Sequence, residues 1–266
     1  MTYVLAALDG SLADTPVLNA AHALGDLLDA GVEAINVKVG ALTAGEAAAE
    51  AAGVPLRVAA GEVVEELARA GEGEDVLALV LGARGLPTDP RPLGATAQAV
   101  ATRVAKPVLV VPPDGVHPTA IRRILVPLEG TLASSVAPQV LFDLVRDVAL
   151  EVVALHVLGT EEIPAFTDQP QHEHRAWARE FLARYCPSGL VGVRLEMRIG
   201  RPENLVPLVA GECECDLIAL GWAQDVAPGR APVVRAALQL SQRPVLLVPA
   251  GAPVVSGAGA EAVARA

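Results

Sequence analysis

Four apolar segments recur in the same order in the two halves of this 266-residue chain, and this repeat constrains the fold more than any other feature. The first segment ends in Asp9-Gly10-Ser11, and its counterpart ends in Glu129-Gly130-Thr131. An ordered repeat of this kind indicates an internal duplication. The other three pairs of segments are residues 34–39 and 152–157, 75–82 and 216–221, and 107–112 and 244–249.

The duplication predicts two similar domains, the first at residues 1–113 and the second at residues 121–250. Residues 114–120 have the composition of a linker between them. Glycine, alanine, valine and serine dominate residues 251–266, which favours a flexible tail.

Short apolar runs alternate with helical patterns along the first half. Strands that alternate with helices predict a parallel sheet with helices on both faces. The fold class is therefore α/β, with two tandem doubly wound domains of five parallel strands each. The first domain is predicted to have strands at residues 3–8, 34–39, 55–58, 76–81 and 108–111, and helices that begin at a capping Asp14, cover residues 43–52 and 61–70, and follow Gly94.

The loop after the fourth predicted strand carries three glycines, Gly82, Gly85 and Gly94. Glycine lets backbone N–H groups approach a phosphate closely, and the first turn of the following helix adds free donors. Ligands of open α/β sheets bind outside the carboxyl ends of the strands, where this loop is expected. The pattern favours a nucleotide phosphate as the ligand, and a plain connecting loop is the alternative that it leaves open.

Charge and composition argue against several classes of partner. The formal net charge of −11 disfavours nucleic acid and anionic membrane surfaces, because both select clustered Lys and Arg. No apolar run reaches the roughly 20 residues of a membrane helix, and the first residues lack the basic start of a signal peptide. Three cysteines without framework spacing fit a reducing compartment, so a cytoplasmic protein is expected.

Three features together resemble the universal stress protein (UspA) family in its tandem two-domain form. They are the strand end Asp9-Gly10-Ser11, the glycine loop from Gly82 to Gly94, and the closing strand that begins at Pro107. The resemblance implies a five-stranded parallel sheet of the adenine nucleotide alpha hydrolase-like type. It also implies pairing through the last strands, as a homodimer or as an intramolecular pair of domains. Many members of the family bind ATP, and others do not.

The family's ATP-binding pattern can be followed residue by residue in the first half. The resemblance places Asp9 on the ribose and adenine side, the backbone of Val37 at the adenine edge, and Gly82 and Gly85 in the phosphate loop. The third glycine departs from the pattern, because either Gly94 comes one residue early and precedes Ala95, or Ala95-Thr96 stands in place of Gly-Ser. The second register supplies the hydroxyl of Thr96 but puts a Cβ where close approach or a positive φ is expected.

The second half departs further from that pattern. Gln224 stands in place of the second glycine, Ala231 and Pro232 stand at the third, and Glu129 replaces the acid. Proline removes an N–H group at the point where a phosphate needs a donor. Nucleotide binding is therefore expected in the first half only, and the second half is expected to supply a partner face.

The sequence thus favours a stress-response or regulatory protein that binds ATP or ADP, with Mg²⁺, through the first domain and acts on an unidentified partner protein. The alternatives are a nucleotide-free interaction module and a slow ATPase. No catalytic residue is predicted, because no base or lysine pattern accompanies the loop. His172 and His174, two residues apart on an expected helix, point to different sides and predict no metal site, and His156 is interpreted as a packed histidine at a strand end.

Overall fold

A computed structural model describes residues 1–37, 43–83, 94–129, 150–159, 170–185, 192–227 and 229–250, without the side chains of residues 43 and 170–175. The first half contains five strands and four helices within this part of the chain. In chain order they are β1 (Tyr3–Leu8), α1 (Asp14–Leu28), β2 (Gly31–Val37), α2 (Thr43–Ala51), β3 (Leu56–Ala59), α3 (Val63–Gly71), β4 (Val76–Gly82), α4 (Ala95–Ala101) and β5 (Val108–Val111).

The second half repeats the strand count. Its described elements are β6 (Arg123–Pro127), β7 (Glu151–Leu158), α5 (Pro170–Tyr185), β8 (Val193–Ile199), α6 (Pro202–Glu212), β9 (Leu217–Trp222), α7 (Pro232–Leu240) and β10 (Val245–Pro249).

All ten strands form one sheet in the order β3-β2-β1-β4-β5-β10-β9-β6-β7-β8. Every pairing within a half is parallel. The halves meet where β5 and β10 pair antiparallel, with Leu109 opposite Leu246. The predicted fold class is confirmed, since each half is a five-stranded parallel sheet. The boundaries at residues 113 and 121 stay predictions, and the tail from residue 251 lies outside the described residues.

Helices cover both faces of the sheet because the buried strand side chains alternate in direction. Val4 and Ala6 of β1 belong to one apolar cluster, to which α1, α2 and α5 contribute. Leu5 belongs to the cluster on the opposite face, to which α3, α4, α6 and α7 contribute. Both clusters include residues of both halves, so each layer of the core continues across the β5–β10 junction. Within the described residues, no helix is long and apolar enough to cross a membrane.

Strand pairing corrects the register of one predicted repeat. The last pair of partners between β1 and β2 is Leu8 with Asn36, and β6 pairs with β7 at Pro127 and Leu155. Since Leu8 and Leu128 precede the corresponding acids Asp9 and Glu129, Asn36 corresponds to His156. The match of residues 34–39 with 152–157 is therefore wrong by two positions. Alignment of the apolar residues alone does not fix a register, because alanine, valine and leucine fill most positions of both segments.

Candidate functional site

A cavity of about 380 Å³ opens at the carboxyl ends of β1, β2 and β4 in the first half. Its apolar wall includes Val17, Val63 and Leu67, which belong to helices on the two opposite faces of the sheet. Six of the seven residues predicted from the sequence line this cavity, and the seventh, Gly85, lies outside the described residues. The six are Asp9, Val37, Gly82, Gly94, Ala95 and Thr96.

The turn after β1 places two carboxylates on the wall of the cavity. Asp9 is exposed, and its Oδ1 accepts a hydrogen bond from the backbone N–H of Ser11 at 3.0 Å. Asp14 is buried, with 3% of its surface exposed. Its two carboxylate oxygens accept hydrogen bonds from the N–H groups of Asp9 and Gly10, each at 3.1 Å. The side chain of Asp14 therefore fixes the backbone that carries Asp9.

Asp14 does not cap α1 as the sequence predicted. It is the first residue of the helix, after Ala13 at the N-cap position, and its carboxylate turns back to the preceding loop. Burial raises the pKa of Asp14 to about 6, and the negative charge of Asp9 also raises it, whereas the two backbone donors lower it. No local pattern indicated this role, because an aspartate at a helix start is usually a cap.

Asn36 holds the ends of β1 and β2 together beneath the cavity. It is 8% exposed, and its Nδ2 donates a hydrogen bond to the carbonyl oxygen of Leu8 at 3.0 Å. Val37 follows as the first residue of β2 beyond the last β1–β2 partner pair, so its backbone lies at the open end of that ladder. Asn36 was not among the predicted site residues, although an amide in an otherwise apolar strand was a usable signal.

The third-glycine segment forms the opposite wall of the cavity. Gly94 is the N-cap residue of α4 with φ −55° and ψ 141°, and its N–H donates to the carbonyl oxygen of Ala83 at 2.9 Å. These angles are open to any residue, and Ala95 is the first residue of α4 and is not among the residues with positive φ. The expectation that a positive φ is needed there is wrong. Thr96 is exposed and faces the cavity with its neighbours.

The charge of the described lining is negative. Asp9 and Asp14 contribute carboxylates, and neither lysine nor arginine occurs among the described residues that line the cavity. The arginines of the glycine loop, Arg84 and Arg91, lie outside the described residues, as does Lys38 after β2. Nor do the described residues include a group of three or more His, Cys, Asp or Glu side chains placed to hold a metal ion.

The corresponding segment of the second half has different chemistry. Two matching backbone bonds, from Leu79 to Pro107 and from Ile218 to Pro244, fix the correspondence of the fourth strands. By this register Gly221 corresponds to Gly82. The small Ala83, which lines the cavity, is replaced by Trp222, a buried indole. Val226, Ala231 and Val233 pack against the apolar cluster that contains Trp222.

Two residues of the second half that stand at the positions of first-half glycines have left-handed backbone angles. Gln224, at the position of Gly85, has φ 57°, and Ala231, at the position of Gly94, has φ 45°. Pro232 begins α7 directly after Ala231. The second-half loop therefore has backbone angles that suit glycine, while its side chains and the proline remove the free space and one donor that a phosphate needs.

The surroundings of His156 and Cys215 indicate structural roles for both side chains. His156 is 9% exposed, and its ring lies 4.6 Å from that of Phe181, centroid to centroid, as a packed histidine does. Burial raises the pKa of the Cys215 thiol to about 12, so this thiol stays protonated and unreactive. The side chains of His172 and His174, and the whole of Cys186, lie outside the described residues.

The fold and the cavity define a class: α/β proteins of two similar mononucleotide-type halves that share one sheet, with a ligand-sized cavity at a strand-end crevice. Residues 120–249 match the model of the universal stress protein family. The second half of the chain is therefore a universal stress protein domain, as the resemblance in the sequence predicted. No curated protein matches the chain.

The solved structures that resemble nearly the whole chain include two from different organisms. One is a universal stress protein from Archaeoglobus fulgidus DSM 4304, at 18% identity and a TM-score of 0.60, covering 93% of this chain and 96% of that one. The other is a functionally unknown protein from Pseudomonas aeruginosa PAO1, at 13% identity and a TM-score of 0.65, covering 94% of this chain and 93% of that one. At these identities the likeness shows the fold alone, and it spans both halves.

Proposed function

We propose that the protein binds an adenine nucleotide, ATP or ADP, in the first-half cavity and serves as a stress-response or regulatory protein. The observation that supports this most is the convergence of Asp9, Val37, Gly82, Gly94 and Thr96 on one cavity. These residues come from opposite ends of the first half, and each matches a position of the nucleotide-binding pattern of the universal stress protein family.

The size and lining of the cavity fit an adenine nucleotide. Its volume of about 380 Å³ falls within the range of about 300–1,000 Å³ for small-molecule sites. Apolar side chains on two sides suit a flat base, the Asp9 carboxylate suits ribose hydroxyls, and the exposed hydroxyl of Thr96 suits a phosphate. The described lining carries two acidic side chains and no basic side chain. A nucleotide complexed with Mg²⁺ therefore suits it better than the more negative free nucleotide.

The acidic lining also favours one alternative, in which the protein works without a nucleotide through contacts with a partner protein. Calorimetric titration of the full chain with ATP, ADP and GTP, each with Mg²⁺ and with EDTA, separates the two. Bound ligand at 100 times Kd stabilises a protein by about 2.7 kcal/mol, so a rise of several degrees in Tm should accompany binding. Absence of binding at millimolar ATP in both conditions would favour the interaction module.

A matched pair of variants locates the site. Gly94→Asp adds a carboxylate to the cavity wall and should abolish nucleotide binding, whereas Ala231→Asp makes the same addition at the corresponding position of the second half and should leave the affinity unchanged. If wild-type protein incubated with ATP releases phosphate and Gly94→Asp does not, the protein is a slow ATPase instead.

A further inference from the structure

The C-terminal end of α4 and the turn that follows it contain buried carbonyl groups that need donors. Ala101 and Val104 are both 0% exposed, so water does not reach their carbonyl oxygens. The preceding carbonyls of Gln98, Ala99 and Val100 accept from groups just beyond the helix. The donors there are the N–H groups of Thr102, Arg103 and Val104 and the hydroxyl of Thr102. A buried carbonyl group without a donor lowers the stability of the fold. The carbonyl groups of Ala101 and Val104 therefore need a donor from another part of the chain.

Gln224 of the second half supplies that partner. Its Nε2 donates to the carbonyl oxygen of Ala101 at 3.1 Å and to that of Val104 at 2.7 Å. An amide nitrogen carries two hydrogens, which is one for each carbonyl. Both acceptors are carbonyl oxygens, so only the nitrogen end of the amide can face them, and the orientation of the side chain is settled by chemistry.

The position of Gln224 in the repeat makes this contact informative. It corresponds to Gly85 of the first half, and its φ of 57° is left-handed, a conformation that glycine adopts more readily than glutamine. Its side chain now reaches across the junction between the halves. At the other end of the same short helix, Gly94, Ala95 and Thr96 line the cavity. Seven helical residues span only about 10 Å, so α4 moves as one rigid piece.

We infer that Gln224 is a positioning residue for the first-half cavity. The loop that lost its own phosphate pattern holds α4 of the other half by its C-terminal end. It thereby sets where the opposite end of α4, with Thr96, lies on the cavity wall. The statement about nucleotide affinity rests on the proposed function, while the statement about α4 does not.

Hydrogen exchange on the full chain without nucleotide tests the contact itself. In Gln224→Ala, the amides of Thr102, Arg103 and Val104 should exchange about tenfold faster than in wild-type protein. The amide of Gln98, in the first turn beside the cavity, should accelerate with them. Asp225→Ala is the matched control, because Asp225 is exposed and contacts Ala227 and Arg230 of its own loop. Acceleration confined to the C-terminal end, or none, would overturn the positioning role.

Nucleotide affinity gives a second readout, measured well below the Tm of each variant. Kd for ATP should rise several-fold in Gln224→Ala and stay unchanged in Asp225→Ala. A purely structural role predicts a lower Tm with an unchanged Kd, and that result would overturn the inference. If wild-type protein binds no ATP, the proposed function fails, while exchange at Gln98 still decides the role of Gln224.

Should Gln224→Ala not fold, Gln224→Gly provides the same test. Glycine accepts the left-handed angle without strain, which offsets part of the lost stability, yet it has no side-chain donors. Gln224→Gly should therefore show the faster exchange and the weaker ATP binding despite its relaxed backbone. Wild-type exchange rates in this variant would overturn the inference.

Discussion

Asn36 donates a hydrogen bond from its Nδ2 to the carbonyl oxygen of Leu8, 3.0 Å away, at the point where β1 ends. The second half repeats this link with different chemistry, since Nδ1 of His156 lies 2.8 Å from the carbonyl oxygen of Leu128. Because a carbonyl oxygen only accepts, Nδ1 of His156 carries the proton. In both halves the side chain belongs to a residue 28 positions after the carbonyl. Both halves therefore have this hydrogen bond between the first two strands, with asparagine in one half and histidine in the other.

Removal of the Asn36 amide should destabilise the protein. Asn36→Ala leaves the carbonyl of Leu8 without this donor in a buried setting, which is expected to cost about 1–3 kcal/mol of unfolding free energy. Under the proposed function, the affinity for ATP should fall as well, because Asn36 directly precedes Val37 and both line the cavity. Urea unfolding and calorimetry measure the two effects.

Asn19→Ala is the control for that experiment, since it makes the same substitution at an exposed position of α1. There the change should fall within about 0.5 kcal/mol and favour stability slightly, because alanine has the higher helix propensity. Equal effects of the two substitutions would show that the contact with Leu8 contributes nothing.

The buried carboxyl of Asp14 predicts a specific dependence of stability on pH. Its pKa is about 6 in the folded protein against an ordinary value of 3.8. Between these values the folded state binds more protons than the unfolded state, so the unfolding free energy falls as the pH rises. The favourable contribution is complete below pH 3.8 and is lost as the pH passes about 6. Its size is about 3 kcal/mol at most.

Asp14→Asn isolates this contribution from the other carboxylates, whose effects are the same in both proteins. The difference in unfolding free energy between variant and wild type should change by about 2–3 kcal/mol between pH 4 and pH 7, in favour of the variant at pH 7. Asp26→Asn removes the same charge from an exposed position of the same helix and should show no such change. A pH-independent difference for Asp14→Asn would contradict the prediction.

Local signals in the sequence were sufficient for the elements at the centre of the sheet. The strands β4 and β5 are unbroken apolar runs bounded by glycine and proline, and the structure places them where the sequence predicted. The edge strand β8 was missed although its sequence VRLEMRI alternates apolar and charged residues, which is the pattern of a strand with one exposed face. The helix α6 gave no clear pattern, since it contains an internal proline, Pro207.

The candidate site divides in the same way. Asp9 and the glycines belong to short local patterns, a strand end and a glycine-rich loop, that can be recognised in the chain alone. The roles of Asn36 and Gln224 depend on contacts with residues far away in the sequence. The role of Asp14 depends on a side chain that turns back to the preceding loop instead of capping its helix. Gln224, for example, contacts carbonyl groups 123 and 120 residues earlier in the chain. Neither spacing nor composition records a contact of that separation.

The junction between the halves predicts an energetic coupling between Leu109 and Leu246. These residues are direct partners across β5 and β10, and they are 1% and 2% exposed. Each Leu→Ala substitution should cost about 2–5 kcal/mol. The double variant should lose about 0.5–1.5 kcal/mol less than the sum of the two, because neighbouring residues share the same contacts.

A second cycle with Leu109 and Leu155 is the control for that coupling. Leu155 is 1% exposed and lies on β7, four strands away from β5 in the sheet order, or about 19 Å at the usual strand spacing. The two substitutions should add within about 0.5 kcal/mol. If the Leu109–Leu246 cycle is equally additive, the β5–β10 pairing does not join the two halves in solution.

The backbone conformation of Ala231 predicts a substitution that stabilises the protein. Its angles of φ 45° and ψ 49° are left-handed, which costs a residue with a Cβ about 1–2 kcal/mol, and the following Pro232 restricts it further. Ala231→Gly should therefore raise the unfolding free energy by about 0.5–1 kcal/mol, after the larger entropy of unfolded glycine is subtracted. Ala236→Gly, the same substitution inside α7, should instead lower it by about 1 kcal/mol. Thermal and urea unfolding of the two variants measure the signs, and a loss of stability in both would show that Ala231 is not strained.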